Sequence, residues 1–253
     1  MPPLTRSAAR QLLAGPVLDE QDTRGRTPAL SGRGSNANVA KDSVVELFSA
    51  QRPQSPQRLS CTTIQADAYS LRRPVKQLAV AVWKARDDTD AYTKMSAGQV
   101  LTQSPETDHC IEVQLVENAL VCAAKQLPTD ATALATCTHT LRNAFNSIDN
   151  LNVTTRSVNQ AKKGPFTAAV NRLYGSSGRT LRVVSAEQLA RTGAAKKLCD
   201  DGTWQRIEDE VARSFELLQD KLAASGPGGR QCNELCHATM EELQQALSRI
   251  EIL

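Results

Sequence analysis

Asp108 and His109 stand side by side at the head of an apolar run, TDHCIEVQLVENAL (residues 107–120), in a chain with only three histidines. A second polar stretch, DNLNVTTRSVNQAKKG (residues 149–164), offers Asn150, Asn159 and Lys163. Carboxylate and carboxamide oxygens are hard donors suited to a small divalent cation. An imidazole, with an unperturbed pKa of about 6.5, exchanges a proton at neutral pH. Each residue alone also has an ordinary role open to it. Asp108 can cap the following helix, His109 can lie on the surface, Asn150 can start a turn, and Asn159 can sit on a solvated helix face. The information is in the ordered set.

That set resembles the HNH, or ββα-metal (His-Me finger), nuclease superfamily in the form D-H-x-x-E-x-Q-L, then N-L, then N-x-x-x-K, across residues 100–164. The resemblance implies a hairpin ending in Asp108-His109 and a helix carrying Asn159 and Lys163. Hydrolysis of a phosphodiester needs an activated water in line with the leaving oxygen and a cation at the scissile phosphate. By the resemblance, Asp108 and Asn159 hold the ion, Mg2+ with Mn2+ as the alternative. His109 is the base, Asn150 orients the catalytic loop, and Glu112 and Gln114 are supporting partners. The implied activity is a metal-dependent endonuclease acting on DNA rather than RNA.

Charge placement agrees with such a substrate. The chain carries a net charge of only +3, but no Asp or Glu occurs from residue 150 to 186, where Arg156, Lys162, Lys163, Arg172, Arg179 and Arg182 lie. Cationic contacts to phosphate give affinity without sequence preference. Arg156, Lys162, Lys163 and Arg172 are the expected contacts. The rival reading is a non-catalytic helical protein- or nucleic-acid-interaction module, on a degenerate nuclease fold, with the basic stretch as a docking face and a protein partner or a second copy binding residues 203–250.

The elements that must position these residues read as a helix-rich α+β protein. Residues 1–60, rich in Pro, Gly, Ser and Arg, with eight basic residues against five acids, cannot bury enough apolar surface to order themselves and read as a disordered arm. Residues 61–200 form the nuclease-like domain. "VKQLAVAVW" reads equally as strand or short helix, "RDDTDAY" as a turn, "SAGQVLTQ" as a hairpin arm, and "TLRVVS" as a strand. Helices are expected from 112 to 126 and from a cap at Thr129 or Asp130 to Phe145. A further helix should stop at Gly164, with Pro165 opening the next.

Trp204, Ile207, Val211, Phe215, Leu218 and Leu222 make one helical stripe, and Leu235, Thr239, Leu243, Leu247 and Ile250 another. They predict an antiparallel helical pair over 201–253. No apolar run is long enough for a membrane span, and the start lacks a secretory core. The seven cysteines, at 61, 110, 122, 137, 199, 232 and 236, read as reduced thiols. Cys232, Cys236 and His237 look like half a zinc site, but the spacing of four is simply one helix face. The expected location is the nucleus or cytoplasm. Arg6 and Arg10, in a start free of acids, are also compatible with a mitochondrial transit peptide.

Overall fold

The computed structural model describes residues 59–173, 181–192, 200–224 and 229–252. The arm at 1–58 lies outside the described residues, as does Arg179. The protein is helix-rich with one two-stranded antiparallel sheet, as expected of a helix-dominated α+β chain. In order come α1 (Cys61–Tyr69), α2 (Ala79–Ala85), α3 (Ala97–Leu101), β1 (Pro105–His109), α4 (Val113–Gln126), α5 (Ala131–Phe145), β2 (Leu151–Thr155), α6 (Arg156–Leu173), α7 (Leu181–Thr192), α8 (Asp201–Ala224) and α9 (Arg230–Arg249).

Local chemistry explains most boundaries. Asp130 caps α5 by accepting from the Ala133 amide at 2.7 Å. Ser96 and Gln99 form a reciprocal capping box that starts α3. The predicted hairpin arm is therefore a helix, because its first residue satisfies the amides of a helical turn. The partner of β1 is instead β2, paired in the register Asp108↔Asn152 and His109↔Leu151. Helices α4 and α5 fill the connection between the strands. The ambiguous "VKQLAVAVW" forms a 3-10 turn and then α2.

Two further expectations fail for tertiary reasons. Residues 156–173 form one helix with Pro165 inside it, not two helices. Gly164 does not take the left-handed conformation of a helix stop. A Cβ on it would meet Gln188 Cγ at 3.1 Å, so the glycine permits α7 to approach closely. The described part of "TLRVVS", residues 181–185, opens α7 and is not a strand; Leu181, Val184 and Ser185 are buried in the packing of α6 and α7.

Helices α8 and α9 carry the two predicted stripes, and Trp204, Ile207, Val211, Phe215, Leu235, Leu243 and Leu247 are buried. Both pack chiefly on other parts of the chain, α9 on α4 and α5, α8 on α5 and the turn at 148–150. A single apolar core runs from Ile64 through α4 and α5 to Ile250. A smaller core, with Val82, Trp83 and Val100, covers Leu151 and Val153 on one face of β2. The other face is polar and forms the candidate site. Among the described residues, no helix is long and apolar enough to cross a membrane.

Candidate functional site

A two-stranded sheet is marginal by itself, and here its polar face is held by buried hydrogen bonds. The loop after α2 places the Asp90 carboxylate, fully buried, against β2. Asp90 Oδ1 accepts from the Tyr92 amide (3.0 Å) and Asn152 Nδ2 (2.7 Å), and Oδ2 from the hydroxyls of Thr93 (2.5 Å) and Thr154 (2.8 Å). Four donors satisfy one buried carboxylate, so the charge needs no ion beside it. Asn152 Oδ1 accepts from the Ala91 amide, which completes the docking of this loop.

Beside it, Asp108 is 4 % exposed and Lys162 is 0 % exposed. Lys162 Nζ donates to Asp108 Oδ2 at 2.7 Å and stands 3.1 Å from Glu112 Oε1. It also donates to the His109 carbonyl. Its remaining surroundings are the rings of Phe166 and Tyr92, 5.2 and 5.8 Å from the ammonium. Tyr92 donates its hydroxyl to Asp108 Oδ2 at 3.1 Å. Burial opposes the charge on Lys162, but Asp108 and then Glu112 outweigh it and hold the amine above its ordinary pKa. Burial pushes Asp108 up to about 6, against the pull of Lys162 and with the push of Glu112. One ammonium thus serves two carboxylates, and the surplus negative charge is relieved by a proton on Asp108 as pH falls.

The ring of His109 engages α5. Its Nε2 lies 3.1 Å from Asn146 Oδ1, while Asn146 Nδ2 donates to the Leu71 and Arg142 carbonyls. Asn146 Oδ1 is therefore an acceptor, Nε2 carries the hydrogen, and Nδ1 keeps the lone pair. Burial foremost holds His109 below its ordinary pKa; Asn146 and Glu112 raise it, and Lys162 and Arg72 lower it. A depressed value gives stability that is present above the unfolded pKa of about 6.5 and is lost as pH falls through the folded one. Wild type is expected to lose more melting temperature than His109→Gln between about pH 7.5 and about pH 5.5. Asp108 titrates in both proteins and cancels. Equal losses in a thermal melt would show that His109 titrates as a solvated histidine.

Asn150 is fully buried. Its Oδ1 accepts from the Ile111 amide (2.8 Å), and its Nδ2 donates to the carbonyls of Ile111 (3.2 Å) and Phe145 (3.0 Å). This carboxamide staples the exit of β1 to the entry of β2 across the helical connection. Asn159 Nδ2 donates to Glu106 Oε2 at 2.7 Å, while its Oδ1 is buried without a hydrogen-bond partner. Of the supporting pair, Glu112 reaches Lys162; the Gln114 carbonyl accepts from Asn118 within α4.

In this structure the Lys162 ammonium holds the place beside Asp108 Oδ2 that the resemblance gives to the ion. Asn159 donates its Nδ2 to Glu106, and its Oδ1, the expected ligand atom, stays unpartnered. Lys162 is a buried group here, not a phosphate contact. The other expected contacts also meet acids: Arg156 lies 3.7 Å from Glu106 and Arg172 3.1 Å from Glu187. Lys163, on the exposed side of α6, remains open to solvent.

Three participants carried no functional reading in the sequence. Asp90 and Tyr92 came from the segment read as a turn; an Asp that accepts from the amide two residues on is the available signal. Arg86 donates to the Leu151 carbonyl (2.9 Å) and pairs with Glu210 of α8 (2.6 Å), and nothing local marks it. No protein family, no curated protein and no solved structure matches this chain.

Proposed function

We propose that the chain is a non-hydrolytic protein-interaction module, built on a strand–helix–helix–strand–helix frame of the ββα-metal kind, in which the Lys162 ammonium takes the place of the catalytic ion. The observation that carries this reading is the fully buried Lys162 Nζ, 2.7 Å from Asp108 and 3.1 Å from Glu112. A buried ammonium with two carboxylates and a carbonyl around it does a structural cation's work without being able to exchange or to polarise phosphate.

The choice of a protein partner over nucleic acid rests on charge in space. Three cations of the acid-free run are partnered from elsewhere in the chain, Arg172 by Glu187, Arg182 by Glu208, and Lys162 by Asp108 and Glu112, while Lys163 faces solvent. The stripes of α8 and α9 are buried within the chain's own core, so a partner must use another surface.

One observation favours hydrolysis instead: the buried, unpartnered Oδ1 of Asn159, the atom that the resemblance assigns to the ion. A single assay separates the two. Purified protein with Mg2+ or Mn2+ is expected to nick plasmid no faster than His109→Ala, and neither ion should raise its melting temperature. Metal-dependent nicking that disappears in His109→Ala would overturn the proposal and establish the nuclease.

A further inference from the structure

Three thiols meet where α5 packs against α9, and the module proposed above makes no use of them. Cys232 and Cys236 lie one turn apart on α9, and Cys137 of α5 faces them. The sulfurs of Cys236 and Cys137 stand 3.0 Å apart, across 99 positions of sequence. A disulfide needs about 2.05 Å, so the pair is about 1 Å from bonding distance. His237 turns outward toward Glu241, with Nδ1 3.5 Å from its carboxylate, and takes no part in the cluster.

Cys232 and Cys236 border a cavity of about 560 Å³ between α8 and α9, with walls that also include Thr140, Asp220, Leu222 and His237. Cys137 and Cys232 are buried, at 0 % and 2 % exposure, while Cys236 is partly exposed. Position separates the roles: of the two cysteines on the cavity wall, Cys236 is partly exposed and Cys232 is buried, and Cys137, off the wall, stands 3.0 Å from Cys236.

We propose that this cavity is a thiol–disulfide exchange site for a small disulfide of the glutathione type, with Cys236 as the attacking sulfur and Cys137 as the resolving one. The Cys236 thiolate attacks one sulfur of the small disulfide, forming a mixed disulfide and expelling one thiolate. Cys137, losing its proton to that thiolate or to water, attacks Cys236 Sγ and expels the second small thiol. Two protein thiols are oxidised to one disulfide, and one small disulfide is reduced to two thiols. The electrostatics agree with Cys236 as the attacking sulfur. The hydrogen bond with Cys137 foremost, with a smaller share from Cys232, holds Cys236 below its ordinary pKa, although burial opposes it. Cys137 is held well above its ordinary value, foremost by that same hydrogen bond, which the mixed disulfide removes. Cys232 is pushed up to about 11 by burial and by the charge of Cys236, so it stays protonated at neutral pH.

The test uses the full, reduced chain equilibrated with oxidised glutathione and read by intact mass and peptide mapping. Wild type is expected to lose two hydrogens and yield a Cys137–Cys236 cross-linked peptide, with its melting temperature raised by several degrees because a long loop is closed. Cys137→Ser should stop at one glutathionyl group on Cys236, and Cys236→Ser should form neither product. Oxidation confined to Cys110, Cys122 or the other cysteines would overturn the proposal. So would a dominant Cys232–Cys236 bond, or a Cys137→Ser protein that gains no adduct at Cys236. The wild-type map decides the matter by itself if a variant fails to fold.

Discussion

Lys162→Met is expected to lower the unfolding free energy by about 3–5 kcal/mol, the cost of leaving buried charge without its partner. The substitution keeps the stem that packs on Phe166 and removes only the ammonium. Asp108, 4 % exposed, then retains Tyr92 as its one hydrogen-bond donor, and Glu112 loses its countercharge. The loss should be pH-dependent, because the variant can be relieved by protonating Asp108, whose carboxyl burial already pushes up to about 6. Urea denaturation at about pH 5 and about pH 8 should show the larger deficit at the higher value. A second substitution, Asp108→Asn, should recover a large part of the deficit, since a neutral carboxamide is far cheaper to bury than an unpaired carboxylate. A single-variant loss under about 1 kcal/mol would mean the ammonium reaches water, as surface pairs do. The cation position would then be open after all.

Asn150→Ala is expected to cost about 3 kcal/mol or more. Three hydrogen bonds disappear at once, and the Ile111 amide, the Ile111 carbonyl and the Phe145 carbonyl are left without their partner where water does not reach. The Cys110 amide keeps its bond to the Asn150 carbonyl at 2.8 Å, so the strand pairing itself survives the substitution. The damage should therefore centre on the junction where β1 leads into α4. Hydrogen exchange at the Ile111 amide is the discriminating measurement, and its protection should fall further than that of amides in the middle of α4. Uniform loss of protection, or a deficit below about 1 kcal/mol, would show that Asn150 merely fills space.

The contrast between Lys162 and Lys163 shows how far the site could be read in advance. Two adjacent lysines with identical chemistry were both assigned to phosphate. The inward-facing stripe of α6 runs Val158, Asn159, Lys162, Pro165, Phe166, Ala169, Val170 and Leu173, at helical spacing. Lys162 lies on that stripe and Lys163 does not, so the text already marked one lysine as inward. It could not say what the lysine would meet, because Asp108 is 54 positions away and arrives only through strand pairing. The resemblance names Asn150 for orienting the catalytic loop; in the structure its carboxamide bonds the backbone of Ile111 and Phe145, partners that sequence spacing does not mark. His109 was legible as a titrating group, but its partner Asn146 sits at the end of α5, where sequence spacing carries no signal.

What the amino-acid order determined by itself was local: caps at Ser96 and Asp130 and the apolar faces of α4, α5, α8 and α9. These follow from periodicity and from hydrogen bonds closed within a turn, which need no distant partner. Tertiary structure alone decided which strand β1 would pair with, that α6 would run on through Pro165, and that the stripes of α8 and α9 would turn onto α4 and α5. It also decided that a lysine would be enclosed by two carboxylates. Each of these outcomes depends on burial shared between segments tens of residues apart, where desolvation turns ordinary ionisable groups into a fixed electrostatic arrangement.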